Sequence, residues 1–252
     1  MKAMIFAAGL GTRLKPLTDT MPKALVPVCG RPLLAHVIGK LAAAGYDDIV
    51  VNVHHFPDQI TGYLAAHDFG VRIRVSDERD WLRETGGGIL HARPLLMDDG
   101  SAEPFLVHNV DIVSNLDLRW LRSQGREDAV ATLVVSERRT QRYFLFDEDL
   151  RLRGWTNLAT GEVRSPFGAI DPSRYRKLAF AGIHLISPSV FDAFGRLGFS
   201  GRFSIVDFYL KACADYPVYA AVPPGLELVD VGKFDTLPEA EALCGRLLGV
   251  AL

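Results

Sequence analysis

Residues 2–8 form a short apolar run that two glycines, Gly9 and Gly11, cut off abruptly. A run of that length bounded by glycine reads as a strand buried in a parallel sheet. The chain behind it keeps the same logic. Residues 32–44 place Leu33, Leu34, Val37, Ile38 and Leu41 at helical spacing, with Pro32 suited to a first turn and Gly45 to a stop. Residues 49–53 read as a second strand, 57–67 as a helix carrying Ile60 and Leu64, and 71–75 as a third strand. This alternation predicts an α/β fold: a Rossmann-like, mainly parallel sheet flanked by helices, with right-handed crossovers.

The two glycines also matter for chemistry. They let the backbone turn tightly and approach a ligand closely. Successive N–H groups in such a loop can cradle phosphate oxygens, and Arg13 adds a positive fork suited to a polyphosphate. A bare Gly-x-Gly is equally a plain tight turn. The dinucleotide fingerprint fails, because Leu14 stands where its third glycine belongs, and no P-loop is present. The continuation is more specific: Gly9-x-Gly11-x-Arg13-Leu14-x-Pro16-Leu17-Thr18, then Pro22-Lys23-Ala24-Leu25-Val26-Pro27-Val28. Across residues 7–32 this resembles the signature of the sugar-1-phosphate nucleotidyltransferases. The resemblance implies the nucleotide-diphospho-sugar transferase fold. It also implies an enzyme that joins a nucleoside triphosphate to a sugar 1-phosphate and releases pyrophosphate.

Composition narrows the alternatives. At 252 residues the chain fits one large α/β domain, and 48% apolar content supports a sizeable core. A formal net charge of −2 gives no general basic surface for nucleic acid or an anionic membrane. No apolar run reaches the roughly 18 residues of a membrane span, and no secretory signal pattern opens the chain. Cys29, Cys213 and Cys244 lack metal-ligand spacing and read as reduced thiols of a cytoplasmic protein. His54-His55 has no third ligand at a sensible spacing and reads as a loop-end pair.

Further candidates lie downstream. Glu84-Thr85-Gly86-Gly87-Gly88 precedes Ile89, Ala92, Leu95 and Leu96, which suggests a helix starting at glycines with free N–H donors; a flexible turn fits the same residues. Residues 104–109 read as a strand leading to Asn109-Val110-Asp111. A carboxylate there lies on the ligand edge of a parallel sheet, unless it merely caps a turn. Residues 129–135 read as a strand, and 143–146 with 150–155 as a hairpin. The basic run Arg138, Arg139 and Arg142 faces water or meets an acidic ligand group. Residues 180–186 form a strand with Gly182 inside it, a mark of close backbone approach. Residues 188–194 and 204–212 read as helices and 216–222 as a strand. Residues 234–248 read as a closing helix with Leu237, Ala240, Leu243 and Leu247 on one face.

Carried over residue by residue, the resemblance implies roles. Ala7, Ala8, Gly9, Gly11 and Thr12 hold the nucleotide, with Thr85, Gly86 and Gly87 at the base edge. Arg13 binds the β and γ phosphates and Lys23 the α-phosphate region. Asn109, Arg142 and Gly182 meet the sugar phosphate. Asp111 and Asp230 hold Mg²⁺. Two positions depart from the family pattern: Val110 replaces a glycine, and Lys233 replaces a threonine after Asp230-Val231-Gly232. Val110 either narrows the site or packs into the core; Lys233 either supplies charge near the phosphates or faces solvent. Residues 1–135 are then a nucleotide-binding half, and 136–252 a sugar-binding half with the closing helix. No acyltransferase extension is expected.

The Glu-Thr-Gly-Gly-Gly form is similar to that of small bacterial uridylyltransferases acting on N-acetylmuramate 1-phosphate, enzymes of cell-wall nucleotide-sugar synthesis. The leading expectation is therefore transfer of UMP from UTP to a sugar 1-phosphate. The near alternative is the same chemistry with GTP and a mannose or heptose 1-phosphate. A module of another class, which binds nucleotide sugars without catalysis, draws support only from Val110 and Lys233.

Overall fold

The structure is a computed structural model and describes residues 1–249; the last three residues of the 136–252 half lie outside the described residues. Strand β1 (Lys2–Phe6) buries Ala3, Met4 and Ile5 completely. Three one-turn 3-10 helices follow, at Thr12–Leu14, Leu17–Asp19 and Lys23–Leu25. A small hairpin, β2 (Pro27–Val28) and β3 (Arg31–Pro32), feeds α1 (Leu33–Ala43). Next come β4 (Asp48–Val53), α2 (Pro57–Ala66), β5 (Arg72–Asp77), α3 (Glu84–His91), α4 (Arg93–Leu96) and β6 (Phe105–Asn109). Then β7 (Ile112–Ser114), α5 (Leu118–Ser123) and β8 (Ala131–Ser136) lead to the hairpin strands β9 (Arg142–Phe146), β10 (Leu152–Asn157) and β11 (Glu162–Arg164). The chain continues through β12 (Arg176–Ile186), α6 (Val190–Arg196), α7 (Ile205–Ala212), β13 (Val218–Ala221), β14 (Leu228–Asp230) and α8 (Leu237–Leu248).

Ten strands form one sheet. Its first part, β5-β4-β1-β6, is parallel, as the alternation of strands and helices predicts. The rest is mixed. Long β12 runs antiparallel to β6 and to β8, its first residues pair with β9, and β13 lies parallel to β8. Side chains alternate between the faces with the strand period of two. Ala3 and Ile5 join the core under α1 and α8, while Met4 joins the core under α3, α6 and α7.

Two expectations need correction. Helix α3 begins at Glu84, in the cluster where the sequence reading starts it, but Gly86 and Gly87 are not free donors, since their N–H groups bond the Phe203 carbonyl. Glycine is needed there for close packing: a Cβ on Gly86 would sit 2.3 Å from the Phe203 ring, and one on Gly87 would sit 2.2 Å from the Gly201 carbonyl oxygen. The sequence reading also lacks β7 and β14, which form a two-stranded sheet of their own.

Candidate active site

A cavity of about 530 Å³ opens beyond the carboxyl ends of β1, β4 and β6, the usual ligand edge of an open α/β sheet. One wall is the loop from Ala7 to Arg13. Gly11 makes its turn with φ +65°, and its bare Cα admits Thr18: an added Cβ would lie 2.8 Å from Thr18 Cγ2. Thr18 Oγ1 donates to the Gly11 carbonyl at 2.8 Å and locks that turn. The loop thereby presents Arg13 as an exposed side chain at the cavity.

The two aspartates meet through the small second sheet. β7 and β14 pair antiparallel with Ile112 opposite Asp230, and Val231 N–H donates to the Asp111 carbonyl at 2.8 Å. Lys23, nearly buried, forms an ion pair with the Asp111 carboxylate. Gly232 closes the group. A Cβ there would lie 2.7 Å from Asp230 Oδ1 and 2.9 Å from Arg13 Nη2, so glycine lets both charged groups come in against the chain. Arg13, Lys23 and Asp111 line one corner of the cavity, and Asp230, outside the lining itself, sits against that corner beside Gly232.

Burial pushes the Asp230 carboxyl above the ordinary carboxylate range; the Asp111 charge adds to this, and Lys23, Arg13 and Arg138 oppose it. Asp230 Oδ1 is buried without a hydrogen-bond partner. A buried orphan acceptor beside a second carboxylate fits a hard cation that prefers oxygen ligands. Among the described residues no group of three or more histidines, cysteines and carboxylates could hold a metal ion, so a cation here would meet two carboxylates and would need water or substrate at its other positions.

The remaining candidates divide. Ala7, Ala8, Gly9, Thr12, Thr85 and Asn109 line the cavity. Gly86 and Gly87 do not: their N–H groups donate to the Phe203 carbonyl at 2.9 and 3.1 Å, so they are not free donors. Gly182 lies behind Asn109, with φ +73° and room for a Cβ only 2.6 Å from Asn109 Nδ2. Arg142 is exposed at the start of β9 and does not line the cavity. Arg138 is the arginine of that run that is anchored nearby, donating from Nη2 to the Phe180 carbonyl at 3.0 Å. Val110 is 5% exposed; it packs into the core and also lines the cavity. Lys233 is exposed and lies outside the cavity lining. His54 Nδ1 bonds the Glu78 carbonyl at 2.7 Å and His55 Nε2 meets the Thr18 carbonyl at 3.4 Å, the contacts of a loop-end pair. Asn52 and Ser204, absent from the sequence reading, also line the cavity. Asn52 was visible as a polar residue inside an apolar strand.

The sequence matches the nucleotidyl transferase family across residues 2–244. It is 36% identical over 236 residues to N-acetylmuramate alpha-1-phosphate uridylyltransferase of Caulobacter vibrioides, covering 89% of each chain. It is 31% identical over 241 residues to mannose-1-phosphate guanylyltransferase 1 of Arabidopsis thaliana, covering 92% of this chain and 62% of that one. UDP-glucose pyrophosphorylase in complex with UDP-glucose superposes with a TM-score of 0.75 at 16% identity, covering 98% of both chains. The inositol-1-phosphate CTP transferase from T. maritima gives 0.75 at 19%, covering 100% of this chain and 98% of that one. At such identities the two structures establish the shared fold. The family match over nearly the whole sequence, with the 36% identical relative, makes the assignment: this chain belongs to the nucleotidyl transferase family.

Proposed function

We propose that the chain transfers UMP from UTP to a sugar 1-phosphate, giving a UDP-sugar and pyrophosphate, with N-acetylmuramate 1-phosphate as the acceptor. The convergence of Arg13, Lys23, Asp111 and Asp230 beside the glycine loop carries this reading. The uridylyltransferase relative supports the choice of base and sugar.

An oxygen of the sugar 1-phosphate attacks the α-phosphorus, a new P–O bond forms, and the bond to the β-phosphate oxygen breaks. The nucleophile is already an anion, so no proton has to be removed. The protein's task is to hold like charges together in line. Arg13, free at the cavity mouth, takes the β and γ phosphates of the leaving pyrophosphate. Lys23 neutralises charge at the α-phosphate. A fixed, partly desolvated cation of this kind is worth about 3–4 kcal/mol of transition-state stabilisation. Asp111 and Asp230 would hold Mg²⁺, which supplies further positive charge against the phosphates. Asn109, held in place by Gly182, faces the sugar phosphate. No helix among the described residues is long and apolar enough to cross a membrane. We assign the reaction to the cytoplasm, where nucleoside triphosphates are available.

The test is pyrophosphate release from UTP, GTP, CTP and ATP, each paired with N-acetylmuramate, mannose, heptose and glucose 1-phosphates. The highest kcat/KM is expected for UTP with N-acetylmuramate 1-phosphate. A clear maximum for GTP with mannose or heptose 1-phosphate would move the assignment to a guanylyltransferase, a reading that the 31% relative favours. No release from any pair would leave a binding module.

A further inference from the structure

Two buried side chains that the transfer chemistry does not use tie together both sides of the nucleotide cavity. Asn52 Oδ1 accepts the N–H groups of Ala7 at 2.8 Å and Ala8 at 3.3 Å. Its Nδ2 donates to Glu78 Oε1 at 2.8 Å. Glu78 Oε2 accepts the N–H of Arg83 at 3.3 Å. Glu78 is 0% exposed and Asn52 2%. Both press on Gly88 of α3, where a Cβ would lie 3.0 Å from Glu78 Oε1 and 3.1 Å from Asn52 Nδ2.

A buried carboxylate is costly unless its oxygens are hydrogen-bonded, and here an amide NH₂ and a backbone N–H meet them. The arrangement has a direction. The carboxylate accepts only, so it compels Asn52 to turn its NH₂ toward Glu78 and its oxygen toward Ala7 and Ala8. Ala7 and Ala8 open the glycine loop that forms one wall of the cavity. The Arg83 N–H belongs to the turn that delivers Glu84 and Thr85 to the other wall. Both walls therefore hang from one carboxylate.

We propose that Glu78 is a positioning residue for the nucleoside triphosphate: through Asn52 it fixes the Ala7–Ala8 backbone, and through the Arg83 N–H it fixes the wall bearing Thr85, before nucleotide arrives. The proposal rests on the nucleotidyl-transfer reading of this cavity. It also assigns the Ala7 and Ala8 amides to Asn52, so these two residues do not cradle the ligand with their N–H groups.

The polarity of the chain supplies the test. Glu78→Gln sets an NH₂ donor against either the Asn52 NH₂ or the Arg83 N–H. Asn52→Asp sets two carboxylates face to face. The double variant Asn52→Asp with Glu78→Gln keeps the net charge and restores every donor–acceptor pair, reversing only the one between positions 52 and 78. Its carboxylate, now on β4, accepts from the Ala7 and Ala8 amides and from the introduced side-chain NH₂. The oxygen of that same introduced amide accepts from the Arg83 N–H. Each single substitution is expected to raise KM for UTP about tenfold or more and to change KM for the sugar 1-phosphate less than about twofold. The double variant should return KM for UTP to within about threefold of wild type. Single variants with unchanged KM for UTP, or a double variant no better than the worse single, would overturn the proposal. So would a rise in both KM values together with a fallen Tm, the pattern of a purely structural contact.

Amide hydrogen exchange on the unaltered protein covers the case in which the single variants do not fold. Ala7 and Ala8 should be protected without nucleotide and gain nothing on adding UTP. Fast exchange that UTP then slows would overturn the proposal. A wild-type protein that binds UTP but releases no pyrophosphate would sink the transferase reading instead, and the exchange pattern would still decide whether Asn52 holds the Ala7 and Ala8 amides before nucleotide arrives.

Discussion

Gly232→Ala isolates the geometry of the charged corner. The Gly232 backbone lies outside the left-handed region, so alanine adopts it without strain. The added methyl would stand 2.7 Å from Asp230 Oδ1 and 2.9 Å from Arg13 Nη2, about 0.7 and 0.5 Å short of ordinary contact at 3.4 Å. Both groups must withdraw by about those amounts. A misplacement of about 1 Å in a reacting array costs about a hundredfold in rate. Displacements of half to two-thirds that size should lower kcat/KM about 10- to 50-fold, or about 1.4–2.3 kcal/mol in the barrier. Stability should barely change. Arg13 is an exposed, flexible side chain that can swing away from Gly232, and replacing glycine by alanine at a compatible backbone stabilises by about 0.4–1 kcal/mol. Tm should therefore stay within about 4 °C of wild type. Steady-state pyrophosphate release and a thermal melt measure the two quantities. A folded variant with kcat/KM within about twofold of wild type would refute the placement of Arg13 and Asp230 at the reacting phosphates.

Other substitutions separate charge from packing. The Asp230 carboxyl has a folded-state pKa raised above its ordinary 3.8, so its contribution to stability falls as pH rises through the raised value. Asp230→Asn should melt above wild type at about pH 7.5, and the gap should close below about pH 4; thermal melts across that range test the sign. Arg13→Ala should raise KM for UTP about 10- to 100-fold, the loss of hydrogen bonds worth about 1.5–3 kcal/mol to a charged group, while Tm holds; an unchanged KM removes Arg13 from the phosphates. Gly182→Ala forces φ +73° on a residue with a Cβ and pushes it within 2.6 Å of Asn109 Nδ2. It should destabilise by about 1–2 kcal/mol and raise KM for the sugar 1-phosphate more than KM for UTP. Equal rises would place Asn109 elsewhere.

Local features were legible in the sequence because their causes are local. A strand cut by Gly9 and Gly11 fixes a turn, and the turn fixes where Arg13 emerges. The parallel half of the sheet follows from strand–helix alternation. The direction of β12 does not, since periodicity marks a buried strand without saying which way it runs or that it pairs with β6, β8 and β9. The resemblance paired Asp111 with Asp230, but no pattern in the residues themselves did. What joins them is a ladder of two three-residue strands far apart in sequence, too short to carry a period. Gly86 and Gly87 looked like donors because their acceptor, the Phe203 carbonyl, lies far downstream. Arg138 and Arg142 are alike in a charge run; the Phe180 carbonyl on β12 distinguishes them. Asn52 is a polar residue in an apolar strand, a signal the sequence reading did not use, and nothing nearby in sequence named Glu78 as its partner.

Phosphorus NMR of one reaction mixture tests the central claim most directly. UTP, N-acetylmuramate 1-phosphate, Mg²⁺ and the wild-type protein should yield pyrophosphate and a UDP-sugar in equal amounts as the two substrates disappear together. The Asp111→Asn and Asp230→Asn proteins, folded and at the same concentration, should form both products at least about a hundredfold more slowly. Orthophosphate with UDP or UMP in place of the coupled pair, or product formation that ignores both aspartates, would contradict nucleotidyl transfer at this corner of the cavity.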